Sequence, residues 1–306
     1  MIVVEEIQKI FRGYFTVNER LDKYTSFRIG GPADLYLEPS DKNDLIAIMK
    51  YLRSNKVPVT IVGNGSNLLI SDEGVRGAVV NLERGLNAIA IDGDIIVVQA
   101  GVRITKFVDF CILQGRKGVE MLAGIPGTMG GAVMMNAGAY GGETSDHLID
   151  VEVLRGEKIV VVPKADAGFS YRRSGFSGDV ILSARFRMAA GDKAELMKRR
   201  RELLVKRNQS QPLNLPNSGS VFKNPANNFA AKLIEEAGLK GTKVGNARIS
   251  DKHGNFIVNE GGASAKDVVE LILLAQRTVR ERTSIALEPE VKLLGFPEQV
   301  YKQVYS

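Results

Sequence analysis

Residues Ala123–Glu143, AGIPGTMGGAVMMNAGAYGGE, constrain this chain more than any other stretch. Glycine stands at positions 124, 127, 130, 131, 138, 141 and 142, and no charge occurs before Glu143. The residues between are small or flexible, among them Ala132, Val133, Met134 and Met135. Such a segment has little side chain to bury. It offers backbone N–H groups that approach a ligand closely, because no Cβ stands in the way. Consecutive amides of that kind make anion-binding concavities suited to a diphosphate. A set of tight turns in an ordinary fold is the plain alternative, since lone glycine motifs are unspecific.

A second glycine turn, Gly63-Asn64-Gly65-Ser66-Asn67, ends the β-branched run Val57–Val62. The run reads as a buried strand, and ligands bind at the C-terminal ends of such strands in open α/β sheets. Neither segment is a G-x-G-x-x-G opening a helix, and no Gly-Lys-Ser/Thr follows. The nucleotide folds that those motifs mark are therefore excluded.

The remaining periodicities describe mixed α and β structure. Val3, Ile7, Ile10 and Phe11 recur at helical spacing up to Gly13, and residues 33–38 alternate as a strand. Ser40 or Asp41 caps a helix with Leu45, Ile48, Met49 and Leu52 inward. Strands follow at Ala78–Leu82 and Ala88–Gln99, the latter turning at Asp92-Gly93. Ile104, Val108, Cys111 and Ile112 mark a helix that Gly115 ends. Beyond the glycine stretch, Leu148–Leu154 and Lys158–Val162 form a hairpin across Arg155-Gly156, and Val180–Met188 alternates as another strand. The polar, proline-containing stretch Gln209–Gly219 reads as a linker into a second domain. That domain has a helix from Ala230 to Ala237, strands around Ala247–Ile249 and Phe256–Val258, and a helix capped by Ser264 with Asp267. A last strand is expected over Ile285–Gly295, carrying Glu288 and Glu290.

The charge of +6 suits polyanionic partners, either nucleotide-like molecules or nucleic acid. The densest basic run, Lys198–Arg207, fits a solvated helix face and has no interleaved aromatic residues for base stacking. His147 and His253 are too few and too far apart for a metal site, and Cys111 has no cysteine partner, so no metal is expected. The lone cysteine suits a reducing cytoplasm. No apolar run is long enough for a membrane span, and the N-terminus lacks the pattern of a secretory signal.

Taken in order, YTSFRIGGPAD, VGNGSNLL, GIPGTMGGAVMMNAGAYGGE, FSYRRSGF, GSVFKNP and LEPEVKLLG resemble the UDP-N-acetylenolpyruvoylglucosamine reductases, also called UDP-N-acetylmuramate dehydrogenases. The resemblance runs from about Tyr24 to Gly295. It implies an α+β fold: an FAD-binding module of the vanillyl-alcohol-oxidase (PCMH) type and a smaller C-terminal α+β substrate-binding domain. The first would span residues 1–208, with subdomains at about 1–82 and 83–190, and the second residues 209–306. It implies non-covalent FAD, NADPH as reductant, and reduction of the enolpyruvyl group of a UDP-sugar in peptidoglycan precursor synthesis. A cytoplasmic monomer with a small-molecule substrate, and with neither nucleic acid nor membrane as partner, is the matching expectation.

Residue by residue, the resemblance gives Gly63, Asn64, Gly65, Ser66 and Asn67 to the cofactor. It adds Gly124, Ile125, Pro126, Gly127, Thr128, Gly130 and Gly131, with Asn136, Gly138 and Ala139 continuing that wall. Arg172 matches the substrate-activating arginine, Ser220 the proton donor and Glu290 the catalytic carboxylate. Lys223 and Asn224 match the substrate pocket. One branch of the family brings a tyrosine over the substrate on an extra loop between the arginine and serine motifs. The spacing from Arg172 to Ser220 leaves no room for it, so the chain resembles the shorter type II enzymes. Two other functions stay open from the residues alone: another flavin oxidoreductase on this fold, and a basic nucleic-acid-binding protein.

Overall fold

The computed structural model describes residues 4–306. Val3, the first residue of the expected N-terminal stripe, lies outside them; the helix that follows is Val4–Ile10. The chain forms two compact units. The first takes residues up to Val17, Leu35–Asn64 and Gly77–Arg207. The second takes Asn18–Asp34, Gly65–Arg76 and Asn208–Ser306. The second unit thus includes two short N-terminal segments that a boundary drawn near residue 208 places elsewhere. Both carry motif residues: the first holds all of YTSFRIGGPAD, the second the end of the glycine turn.

The first unit is built on a five-stranded antiparallel sheet, ordered Lys158–Pro163, Leu148–Arg155, Val180–Arg187, Ile95–Gln99, Ile89–Asp92. Both expected hairpins occur, with Asp92 opposite Ile95 and Arg155 opposite Lys158. Helix Ile104–Leu113 buries Phe107, whose ring lies 5.2 Å from that of Phe186. Strand Val59–Val62 pairs in parallel with residues 78–81, and helix Lys42–Ser54 sends Leu45, Ile48, Met49 and Leu52 into the same core. The Asp41 carboxylate caps that helix by accepting the Asp44 N–H at 2.9 Å. The four-stranded sheet that contains Val59–Val62 also contains Tyr14–Arg20, a strand that no alternating pattern announces, because most of its residues are partly or fully exposed.

The second unit packs helices Ala230–Glu236 and Ala265–Thr283 with a three-stranded antiparallel sheet, Lys243–Val244, Ala247–Ile249 and Ile257–Asn259. Its core holds Phe27, Ile29, Leu69, Phe222, Leu271 and Ile272. Residues Leu68–Ile70 pair in parallel with Lys292–Leu294. The continuous strand expected over Ile285–Gly295 is therefore corrected: only Lys292–Leu294 is regular, with an isolated bridge between Phe222 and Pro289. Pro289 has no N–H to offer a ladder, which breaks the strand just before Glu290. No helix among the described residues is long and apolar enough to cross a membrane.

Candidate active site

In the first unit the start of the glycine turn, Gly63 and Asn64, meets the longer glycine segment. A Cβ on Gly63 would stand 2.3 Å from Thr128 Oγ1, so only glycine allows this approach. Thr128 is buried and caps the short helix Met129–Met134, a helix that no periodicity in the glycine stretch announces. The backbone of the stretch is not uniformly available. Met129 and Gly130 donate their N–H groups to Val102 and Ala100 carbonyls, each at 2.8 Å, and Ile125 donates to Leu122 at 3.0 Å. The N–H groups of Asn64, Gly65, Gly127 and Thr128 have no partner among the described residues. Unspent amides at a close approach of two backbones suit an anionic ligand, because their dipoles point at a common space.

Gly127 and Gly65 need glycine for conformation, with φ of +133° and +60°. Gly131 differs: a Cβ there would meet nothing closer than Thr128 Oγ1 at 3.6 Å, so its surroundings are open. Gly124 lies under the end of helix Lys193–Ser210, where a Cβ would reach Leu204 Cδ2 at 2.8 Å and Arg207 Cδ at 3.0 Å. Arg207 is buried, and burial depresses its pKa. The basic run is thus not a purely solvated face; its last residue belongs beside the glycine stretch.

Asn136 is 1% exposed and spends its side chain inside the protein. It donates to Glu143 Oε2 at 2.7 Å and to the Ser170 carbonyl at 3.2 Å, and accepts from the Ser145 N–H at 3.1 Å. These bonds tie the FSYRRS turn through Asn136 to Glu143, whose strand pairs with Gly138–Ala139. Ser170 and Arg173 exchange backbone hydrogen bonds, so Tyr171 and Arg172 form the tip of a tight turn, with Arg172 at φ +57°. Arg172 donates from Nη2 to the Gly138 carbonyl at 2.9 Å and lies 5.0 Å from the centre of the exposed Tyr171 ring. A planar guanidinium is a residue type that matches a carboxylate with a fork of donors.

In the second unit Ser220, Lys223 and Glu290 come together by backbone pairing. Glu290 donates its N–H to the Val221 carbonyl at 2.8 Å, and Lys223 donates its own to the Glu288 carbonyl at 2.8 Å. Ser220 precedes that pairing and is half-buried. Lys223 Nζ pairs with Glu288, and Lys292 joins the group. Burial and the charge of Lys223 depress the Lys292 pKa, while Glu288 and Glu290 oppose the shift. Asn224 is exposed, and its Oδ1 accepts the Ala230 N–H at 3.1 Å. Asn255, which the sequence shows only as part of a turn, fixes the other side of this segment. Its buried amide accepts from the Phe222 N–H at 2.9 Å and donates to the Phe222 carbonyl at 2.8 Å. No run of residues marks Asn255, because its partner lies 33 positions away.

The remaining candidates give no competing chemistry. Among the described residues no group of His, Cys, Asp and Glu is placed to hold a metal. Cys111 is buried, and its thiol is pushed up to about 12 by burial and by Glu120, so it is not a nucleophile. In the basic helix Arg199 pairs with Glu202, and Arg200 with Asp109.

Residues 211–294 match the family described as UDP-N-acetylenolpyruvoylglucosamine reductase, C-terminal domain, and residues 33–161 match an FAD binding domain. A UDP-N-acetylenolpyruvoylglucosamine reductase of Chloroherpeton thalassium is 43% identical, covering 99% of this chain and 100% of the relative. One from Caldanaerobacter subterraneus is 40% identical over 96% of this chain and 98% of the relative. The crystal structure of the Thermus caldophilus enzyme superposes with a TM-score of 0.80 at 37% identity, covering 92% of this chain and 99% of that one. The FAD-binding module and the C-terminal domain implied by the motifs are therefore both present, and the chain belongs to the UDP-N-acetylenolpyruvoylglucosamine reductase family.

Proposed function

We propose that this protein reduces the enolpyruvyl group of UDP-N-acetylglucosamine enolpyruvate to UDP-N-acetylmuramate, using non-covalent FAD and NADPH, as a monomer in the cytoplasm. The observation that carries this reading is the meeting of Gly63 with Thr128, beside unspent N–H groups at Asn64, Gly127 and Thr128. These groups fit the diphosphate of FAD. Gly63–Asn67 and Gly124–Gly131 would hold it, with Gly138 and Ala139 continuing the wall and Asn136 fixing that wall from within.

FAD held there and reduced by NADPH would supply hydride for the vinyl carbon of the substrate. The chain's own residues then manage charge and proton. As the double bond is reduced, negative charge grows on the substrate carboxylate. Arg172 meets it with a bidentate donor that never loses its proton, and its bond to Gly138 fixes the fork beforehand. Charge placed in advance in this way is commonly the largest catalytic contribution. Ser220 donates the proton to the neighbouring carbon. A hydroxyl is a weak acid, so it serves only against a strongly basic, enolate-like partner. Glu290 orients that partner, and Lys223 and Asn224 hold the substrate.

The test is direct. The purified protein should show a flavin absorption spectrum that NADPH bleaches under anaerobic conditions and that the UDP-sugar restores. The product should gain the mass of two hydrogens. Flavin-free protein, or reduced flavin that the UDP-sugar leaves bleached, overturns the reading.

A further inference from the structure

The end of the glycine turn and the segment carrying Glu290 are joined through a single residue. The Asn67 carbonyl accepts the Lys292 N–H at 2.9 Å, and Asn67 Nδ2 donates to the Glu290 carbonyl at 3.0 Å. The parallel ladder proper begins one position later, with Leu68 opposite Lys292. Asn67 therefore extends the ladder twice over, once with its backbone and once with a side chain that mimics a backbone donor.

Glu290 needs that donor. Pro289 before it has no N–H, and the segment becomes a regular strand only at Lys292. The Glu290 N–H is held by the Val221 carbonyl on one side. Its carbonyl is held by Asn67 from the other. Both polar groups of its peptide backbone are thus fixed, which sets the direction in which its carboxyl leaves the chain. The next residues are clamped as well: the Tyr305 hydroxyl donates to the Val291 carbonyl at 2.9 Å and accepts the Leu293 N–H at 3.2 Å. Asn67 is the one member of this clamp that also belongs to the glycine turn.

We propose that the Asn67 side chain is a positioning device for Glu290, and that the contribution of Asn67 to the cofactor is limited to its backbone. The inference rests on Glu290 acting on the substrate, as argued above. Displacing a reacting group by about 1 Å can cost on the order of a hundredfold in rate.

The experiment is a double-mutant cycle on the FAD-loaded enzyme, read as the rate at which the UDP-sugar reoxidises reduced flavin. Asn67→Ala removes the donor, and Asn67→Asp removes it while keeping the size. Each should slow reoxidation by roughly ten- to a hundredfold, with the Kd for FAD within about threefold of the parent. In a Glu290→Gln background the same changes should add less than about twofold, because residues acting through one another are not additive. Multiplying losses in the double variant would overturn the positioning role and leave Glu290 in place. Asn67→Ala protein that cannot retain FAD would overturn it too, by making the side chain a cofactor ligand. A Glu290→Gln enzyme with parent rates would instead remove Glu290 from the reaction, and the inference with it.

Discussion

The glycine segments of the first unit and the Ser220–Glu290 group of the second are built on opposite principles. The first works by leaving atoms out. Gly63 approaches Thr128 because it has no Cβ, and the groups on offer are N–H donors of Asn64, Gly127 and Thr128. The second works by putting side chains in: a hydroxyl, two carboxylates and two ammonium groups, held by the backbone pairing of residues 221–223 with residues 288–290. The first kind of site is damaged by adding atoms, the second by removing them. A backbone site also recognises what every diphosphate shares, whereas the side-chain group must match one substrate's reacting atoms.

The strongest test adds atoms to the first region where the protein itself has room. At Gly131 a side chain meets nothing closer than Thr128 Oγ1 at 3.6 Å. Gly131→Val should therefore fold with an unchanged far-ultraviolet spectrum yet purify without flavin, because its methyl groups fill the space left to the ligand. Gly131→Ala should sharpen the point. Its helical position favours alanine by roughly 0.5–1 kcal/mol, so the flavin-free protein should melt slightly later while binding FAD more weakly. A fully flavinated Gly131→Val protein would remove this residue from the cofactor site.

Removal is the matching test in the second region. Ser220→Ala should slow reoxidation by the UDP-sugar by about two to four orders of magnitude, the usual loss of a positioned acid. Water entering the vacated space favours the lower end. Stopped-flow absorbance separates this step from reduction by NADPH, which does not involve the enolpyruvyl group. Parent-like reoxidation would make Ser220 a turn residue only.

Arg172 lies in the first unit but would work by its side chain under the proposed function, so it tests whether the contrast follows the chain or the chemistry. Arg172→Lys keeps the charge and loses the fork. If the bidentate geometry matters, kcat/KM should fall by an amount equivalent to roughly 2–4 kcal/mol. Flavin content should stay near that of the parent, because lysine retains a donor for the Gly138 carbonyl that Arg172 bonds. Unchanged kcat/KM would show that charge alone suffices.

The same contrast explains what the sequence makes legible. Missing side chains are visible without any fold, so the two glycine segments stand out, and periodicity locates hairpins such as Asp92 opposite Ile95. It does not show which amides are already spent. The Met129 and Gly130 bonds to Val102 and Ala100 depend on residues some 27 to 30 positions earlier in the chain. Nor do Ser220 and Glu290 carry any local sign of chemistry, and only their resemblance to a family singles them out. Asn255 and Asn67 are harder still, because each acts through an amide on a backbone far away in sequence. The buried Arg207 hides in a run whose other charges face solvent, and a strand over Ile285–Gly295 looks continuous until Pro289 withholds its N–H.

The smallest expected effect concerns the scaffold under the side-chain region. Helix Ala265–Thr283 begins with a full capping box: Ser264 Oγ accepts the Asp267 N–H at 3.1 Å, and Asp267 Oδ2 accepts the Ser264 N–H at 3.0 Å. Removing such a cap usually costs about 1 kcal/mol. Here the same helix end has a second holder, because the Asp72 carboxylate accepts the Ala265 N–H at 2.9 and 3.0 Å. Ser264→Ala should therefore fall near the low end, about 0.5 kcal/mol, with flavin content and kcat/KM unchanged. Asp72→Ala alone should cost somewhat more, since it takes a charged acceptor from a helix N-terminus. If the two caps substitute for one another, the double variant should lose more than the sum of the single losses in a denaturant titration. Simple additivity would show that they act independently. A fall in kcat/KM with Ser264→Ala would show that this helix end reaches the reacting groups, and that the side-chain region is less separable from its scaffold than the glycine segments are.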